Sequence, residues 1–247
     1  MIPKIIHQTW SSKEENHSID KLRDTWIKKN PHFLYHYYDD NDIHAYIEEH
    51  FDEHTLHCYN RIVNGSLKAD FFRYCVLYKE GGVYIDVDIA CLVPLDDLFD
   101  LDNMDVITAT DYCRIQRSDR IYQGFLGGSQ HCPLFMNMIE QICNSMDKDL
   151  FKNDLFKLSG PIVFSRFLKM HMNISINEKN EKCSFLKELH FTNIRERKHY
   201  YIVTHEISKE LLLKNGVKFA TAQNRIDRVN NLHYFKHKSK FPEGFYI

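Results

Sequence analysis

Between residues 66 and 89 a helix-forming stretch runs into a glycine pair and then into strict alternation. Val83, Ile85, Val87 and Ile89 fall on one side of an extended chain, and Tyr84, Asp86 and Asp88 fall on the other. Ser66 can cap the helix at its start, and Gly81-Gly82 suits a left-handed cap at its end. The strand that follows must bury its apolar side in a sheet while presenting two carboxylates from the other. With Cα atoms about 6.6 Å apart by strand rise, one aspartate can bind a hard divalent cation directly and the other through water.

The rest of the chain supplies the sheet that such a strand needs. Pro3 to Trp10 reads as a buried strand ending at Ser11-Ser12. Ser18 can open a helix that stops before Pro31, and Phe33 to Tyr38 is aromatic enough for a second strand. Helical stretches follow at about 41–51 and 54–63, strands near 105–110 and 121–127, and helices near 133–146 and 161–170, the last opened by Pro161. This alternation predicts an α/β fold with a mixed, mostly parallel central sheet flanked by helices. Beyond about residue 172 the pattern blurs. Without repeats, low-complexity segments or a linker, residues 1–247 read as one domain.

A formal net charge of −2 with 27% charged residues gives no general attraction to nucleic acid, and none is expected as a partner. The seven cysteines are scattered and never spaced CxxC, so reduced thiols are the simpler reading than a disulfide framework or a zinc knuckle. No apolar run reaches the ~18 residues of a transmembrane segment, and the N-terminus is too short in apolar character for a signal peptide. A cytoplasmic location is expected.

Several smaller patterns compete for a functional role. Asp70 and Arg73 stand at i and i+3 and can point at one spot, either as a surface ion pair or as the wall of a polar pocket. Gly127 and Gly128 would let backbone approach a ligand, or form a plain tight turn. His50, His54 and His57 could share a helical face, but with no carboxylate partner evident the run reads as surface helix. Asp39-Asp40-Asn41-Asp42 lacks the glycine and glutamate of a calcium loop and reads as a helix cap. Trp10, just past a strand end, is either a core aromatic or a ligand contact, since open α/β sheets bind ligands there.

The block Lys68-Ala69-Asp70-Phe71-Phe72-Arg73-Tyr74 followed by Gly81-Gly82-Val83-Tyr84-Ile85-Asp86-Val87-Asp88 resembles the D-x-D sugar-binding region of glycosyltransferase family 32. That family includes yeast α-1,6-mannosyltransferases and vertebrate α-1,4-galactosyltransferases; the clostridial glucosylating toxins are more distantly similar. The resemblance runs from Pro3 through Ser159-Gly160-Pro161. It implies a GT-A type nucleotide-sugar-binding fold and a metal-dependent, retaining hexosyltransferase using Mn2+ or Mg2+. The implied donor is a nucleotide diphosphate sugar, with UDP-sugar favoured and GDP-mannose possible. The implied acceptor is a glycan or lipid-linked glycan, as in surface polysaccharide biosynthesis.

Carried over by residue, the resemblance implies that Trp10 stacks on the donor base and that Asp70 and Arg73 bind the transferred sugar. It assigns Asp86 and Asp88 to the sugar-phosphate and the metal, with Tyr84 nearby. Gln123 stands where the family commonly has Asn and is a donor contact on that basis. In the closing segment, His233 completes the metal shell and Lys236 or Lys238 screens the diphosphate, against the plainer alternative of a basic solvated tail; Lys240 replaces the family's Trp. The rival from another class is a metal-dependent phosphodiesterase or nucleotide-sugar hydrolase using the same Asp pair, although two-metal sites gather more carboxylates than this block holds. A catalytically silent carbohydrate-binding module is a second rival.

Overall fold

A computed structural model describes residues 1–14, 16–91, 93–110 and 121–172, together with the backbone of strands at 183–193, 198–205 and 220–222. The chain opens β1 (Ile5–Thr9), α1 (His17–Lys29), β2 (Leu34–Tyr38), α2 (Asp40–His50), α3 (Glu53–Asn60) and α4 (Gly65–Lys79). It continues through β3 (Gly82–Ile85), β4 (Ile89–Cys91), β5 (Val106–Thr110), β6 (Ile121–Gly128), α5 (Pro133–Asp147), α6 (Leu155–Leu158) and α7 (Pro161–Met172). The strands β7 (Cys183–Asn193), β8 (Lys198–His205) and β9 (Ala220–Ala222) follow.

These strands form one sheet in the order β2-β1-β3-β6-β5-β7-β8-β9-β4. The sheet is mixed. Its parallel ladders join β1 to β2, β1 to β3 and β5 to β7. The antiparallel ladders outnumber them, five to three among the described strands, which corrects the expectation of a mostly parallel sheet. The reason lies in β6, which runs against both of its neighbours, and in the strands after residue 182, which the blurred sequence pattern did not reveal.

The sheet separates two cores. Ile2, Ile6, Trp26, Val83, Ile85 and Phe125 pack on one side; Phe71, Phe72, Tyr84, Leu126, Phe135 and Phe164 pack on the other, beneath α4, α5 and α7. β3 is therefore buried on both faces, as a central strand must be. Full burial of each large apolar side chain stabilises this arrangement by about 1.5–3 kcal/mol.

The elements around the D-x-D begin and end differently from expectation in three places. Asn64, not Ser66, caps α4, accepting from the Leu67 amide at 2.9 Å. Asn16, not Ser18, caps α1. Most consequentially, β3 stops at Ile85. The Asp86 amide makes a last cross-strand bond to Gly124 O at 2.9 Å, and the Ile89 amide then bonds Asp86 O at 3.1 Å, closing a tight turn over Asp86-Val87-Asp88. Two carboxylates continued along a strand flanked by both cores would be desolvated; with the strand ended at Ile85, the extended-strand spacing does not apply.

Other punctuation stands as read. Gly81 and Gly82 adopt φ of 69° and 92°, and the Gly81 amide bonds Leu77 O at 3.0 Å, a left-handed cap. His7 fastens it: its Nε2 lies 2.9 Å from Gly81 O, and burial lowers its pKa to about 3. The ring is thus neutral, donates from Nε2 and accepts at Nδ1 from the Tyr38 hydroxyl, 3.2 Å away. Asp39 forms a capping box with Asp42, in keeping with the cap reading of that acidic run.

Candidate functional site

The site is built where the middle of α4 meets the end of β3. With Phe71, Phe72, Cys75 and Val76 buried in the core, Asp70 and Arg73 of α4 meet the end of β3 at the D-x-D turn. Arg73 lies in a closed shell, its side chain only 5% exposed. Its Nη1 is 3.1 Å from Asp70 Oδ1 and donates to Gln123 O at 2.8 Å; its Nη2 is 3.3 Å from Asp86 Oδ1. The guanidinium lies over the Tyr84 ring, 4.7 Å from its centroid. Burial alone would lower the Arg73 pKa, but Asp70, Tyr84 and Asp86 hold it above its ordinary value. It remains a fixed positive fork.

Opposing influences act on Asp70, whose pKa burial raises on balance. Burial raises the Asp70 carboxyl, while Arg73 and the Ser159 hydroxyl, donating at 2.6 Å to Oδ2, favour its charged form. Asp86 is a third exposed. A Cβ at Gly124 would sit 2.8 Å from Asp86 Oδ2 and 2.8 Å from the Tyr122 hydroxyl, so only glycine leaves room for this carboxylate. Asp88, half-buried, follows in the turn. Asp70 and Asp86 flank the guanidinium and Asp88 follows Asp86 in the turn; these donors are all hard oxygens, a set suited to Mg2+ or Mn2+.

Asp70, Arg73, Tyr84, Asp86 and Gln123 are thus brought together. Tyr84 is buried beneath Arg73 with its hydroxyl 2.9 Å from Thr9 Oγ1, and burial pushes its pKa up to about 12. Gln123 turns its amide inward, donating to the Tyr74 hydroxyl and, at 2.8 Å, to Ser159 O. Its geometry is that of a wall residue: the side-chain nitrogen is spent on protein, and the main-chain carbonyl orients Arg73.

Trp10 stands apart at the end of β1, 37% exposed, its amide bonded to Tyr38 O at 3.0 Å. The core reading for it is excluded; the buried tryptophan is Trp26. His233, Lys236 and Lys238 lie outside the described residues.

Four participants were not singled out in the sequence. Gly124 accommodates Asp86. Ser159 holds Asp70 from the loop before α7, and Tyr74 braces that loop by donating to Ser159 O at 2.8 Å. Gln8 donates to Asp86 O at 3.3 Å and accepts from the Tyr35 hydroxyl at 2.6 Å. Only Gly124 had a local signal, as a glycine inside a strand pattern. Conversely, Gly127 and Gly128 face core side chains, with Ile107 and Phe135 filling the space a Cβ would need; neither forms a turn or approaches a ligand site.

Residues 16–105 match the family described as a glycosyltransferase sugar-binding region containing a DXD motif. An uncharacterised glycosyltransferase, L373, of Acanthamoeba polyphaga mimivirus is 33% identical over 103 residues, 41% of each chain. The initiation-specific α-1,6-mannosyltransferase of Candida albicans is 35% identical over 101 residues, 38% of this chain and 26% of that protein. The chain thus matches 41% of the length of the first of these relatives and 26% of the second. Among solved structures, the PaToxG glycosyltransferase superposes with a TM-score of 0.57 at 18% identity, covering 70% of both chains, a likeness of fold. Over residues 16–105 the chain is therefore similar to the glycosyltransferase sugar-binding region that contains the DXD motif, and its fold is of the GT-A type.

Proposed function

We propose that the chain is a retaining hexosyltransferase that takes its sugar from a nucleotide diphosphate donor. The observation that carries this reading is the buried guanidinium of Arg73 held between Asp70 and Asp86, one turn of chain before Asp88. Such a constellation offers fixed acceptors for sugar hydroxyls and fixed positive charge for a developing diphosphate. Asp86 and Asp88 would hold Mn2+ or Mg2+, with His233 as a further ligand. When bound, the cation supplies Lewis-acid neutralisation of the leaving group.

In the proposed reaction the bond from the anomeric carbon to the diphosphate oxygen breaks while the acceptor hydroxyl oxygen bonds to the same face. The departing phosphate oxygen takes the acceptor proton, so no side chain serves as base. Arg73 stabilises negative charge as it develops, and Asp70 orients the sugar. Trp10, exposed beyond β1, stacks on the base, and Lys236 or Lys238 screens the diphosphate. The mannosyltransferase relatives bring GDP-mannose forward to stand beside UDP-sugars. The acceptor is a glycan or lipid-linked glycan in surface polysaccharide synthesis. Among the described residues no helix is long and apolar enough to cross a membrane, and cytoplasmic assembly remains part of this proposal.

The test is incubation of the chain with UDP- and GDP-sugars, Mn2+ and glycan acceptors, followed by determination of the product anomer. Retained configuration is the expected result. An inverted product contradicts the mechanism, and phosphate-bond cleavage without transfer to any acceptor identifies a hydrolase instead.

A further inference from the structure

A second cluster of ligand-bearing side chains lies between α3 and α5, built from residues that the donor site does not use. His54 and Cys58 stand one turn apart on α3, and Cys143 and Asp147 one turn apart on α5. The His54 Nε2, Cys58 Sγ and Cys143 Sγ atoms all lie within 4.8 Å of one another. His54 Nε2 is 3.7 Å from Cys58 Sγ and 2.8 Å from Asp147 Oδ2. The sequence reading of this segment as plain surface helix without a carboxylate partner is therefore corrected: the partner is Asp147, contributed by another helix. His50 belongs to α2 and takes no part.

We propose that His54, Cys58, Cys143 and Asp147 form a tetrahedral zinc site that clasps α3 to α5. The donor set carries the identification. Two sulfurs, an imidazole nitrogen and a carboxylate oxygen match the ligands zinc takes, whereas magnesium and calcium take oxygen alone. With Zn–S about 2.3 Å and Zn–N about 2.0–2.1 Å, a tetrahedral S···N edge is about 3.6 Å, close to the observed Cys58–His54 separation. Cys143 Sγ lies within 4.8 Å of both of these atoms, and Asp147 reaches the ion by turning its carboxylate from His54 onto it, the His54–Asp147 hydrogen bond opening as the ion enters.

Charge and burial agree with this assignment. Two thiolates and Asp147 bring three negative charges and zinc two positive. Arg61 offsets the remainder, its Nη1 lying 3.2 Å from Asp147 Oδ1 and its Nη2 bonded to Met146 O at 3.1 Å. Arg61 thereby orients the carboxylate ligand from behind, as outer-shell partners do. Both sulfurs are buried, while the His54 and Asp147 side chains are 54% and 40% exposed, so the ion has a route from solvent onto a soft, enclosed base. On uptake the two thiols release their protons to water, and the neutral imidazole carries its proton on Nδ1 so that Nε2 can coordinate. A disulfide between Cys58 and Cys143 would account for the sulfurs but not for the convergence of His54 and Asp147.

The experiment uses the full chain, purified under reducing conditions, stripped with a chelator and titrated with Co2+. Expected are a thiolate-to-cobalt charge-transfer band and tetrahedral ligand-field bands that saturate at about one ion per chain. Zinc should abolish both while raising the melting temperature. Cobalt held by the D-x-D carboxylates gives no sulfur band, so the two sites are read separately and the result is independent of sugar transfer. Cys143→Ser should lose the band. His54→Ala, on an exposed side chain and expected to fold as wild type, should keep some sulfur absorption but weaken cobalt binding at least about tenfold. Absence of the band in the wild type, a band unchanged in either variant, or a chain two hydrogens lighter with Cys58 and Cys143 joined would each overturn the proposal.

Discussion

Asp20 and Arg23 on α1 stand at the same spacing as Asp70 and Arg73 on α4, and the two pairs have the same contact, Nη1 to Oδ1 at 3.1 Å. Each arginine also lies over a tyrosine, Tyr37 at 3.6 Å or Tyr84 at 4.7 Å. Their surroundings differ. The side chains of the α1 pair are 24% and 40% exposed, and those of the α4 pair 5% and 14%. Around Arg23 water can take over what the protein gives up, whereas Arg73 must find every partner inside the fold. It is burial, then, rather than the Asp-x-x-Arg spacing, that makes one pair a surface feature and the other a buried anchor beside the D-x-D turn. A hydrogen-bond chain connects them: Arg23 Nε donates to the Tyr35 hydroxyl at 3.2 Å, Tyr35 donates to Gln8, and Gln8 donates to Asp86 O. Burial pushes the Tyr35 hydroxyl up to about 12, so it stays a donor at neutral pH.

The strongest attempt to break this comparison is the paired substitution of methionine. Arg73→Met leaves Asp70 and Asp86 facing each other without compensation and should cost about 3–5 kcal/mol of folding free energy, with sugar transfer lost. Arg23→Met should cost under about 1 kcal/mol. Denaturant melts of both decide the matter, and equal costs would show that burial does not distinguish the pairs.

Lysine substitution sharpens the comparison, because it keeps the charge and removes the fork. Arg73→Lys cannot hold Asp70, Asp86 and Gln123 O together, and losing one charge-assisted hydrogen bond of about 1.5–3 kcal/mol should lower kcat/KM by about 10- to 100-fold. At position 23 the same change should leave kcat/KM within about twofold, since an exposed pair contributes little.

Trp10 tests whether exposure beyond the end of β1 reflects a binding role. Trp10→Ala should weaken nucleotide binding by about 1–3 kcal/mol if the ring stacks on the base, with stability changed by less than about 1 kcal/mol because the side chain fills no core. Isothermal titration beside a denaturant melt separates the two, and unaltered nucleotide affinity would end the stacking assignment.

The smallest effect is expected from Tyr35→Phe, which cuts the chain joining the two arginines at its middle. Loss of one neutral hydrogen bond should cost about 0.5–1.5 kcal/mol of stability and leave transfer within severalfold of wild type. A loss of activity as large as that of Arg73→Lys would mean that the α1 pair acts on the site through Gln8 and Asp86.

What could be read from the sequence divides by the range of the interaction that decides it. The glycine cap after α4, Pro161 opening α7 and the Asp39 cap are each set by a few neighbouring residues, and local chemistry was enough. Asp70 and Arg73 were visible as a pair for the same reason, but their burial was not, because it depends on Tyr84, Gln123 and Ser159 arriving from other elements. The alternation from Val83 to Ile89 pointed to one long strand; the turn at Asp86-Val87-Asp88 replaced it because a doubly covered strand cannot carry carboxylates inward. Gly124 looked like any glycine in a strand until Asp86 was seen against it. Strands β7 and β8 pair with each other across a short connection and offer no periodicity that single residues betray. His54 and Cys143 come from different helices, and no spacing rule joins them.

The central claim is that the D-x-D turn, fixed by Arg73, holds the metal and the donor diphosphate. Its most direct test is calorimetric titration of wild type and Asp88→Asn with UDP- and GDP-sugars, in the presence and absence of Mn2+. The substitution removes charge without changing side-chain volume. The account predicts that wild type binds a nucleotide sugar far more tightly with Mn2+, and that Asp88→Asn loses this dependence while its melting temperature stays near that of wild type. Undiminished Mn2+-dependent binding by the folded Asp88→Asn protein would contradict it.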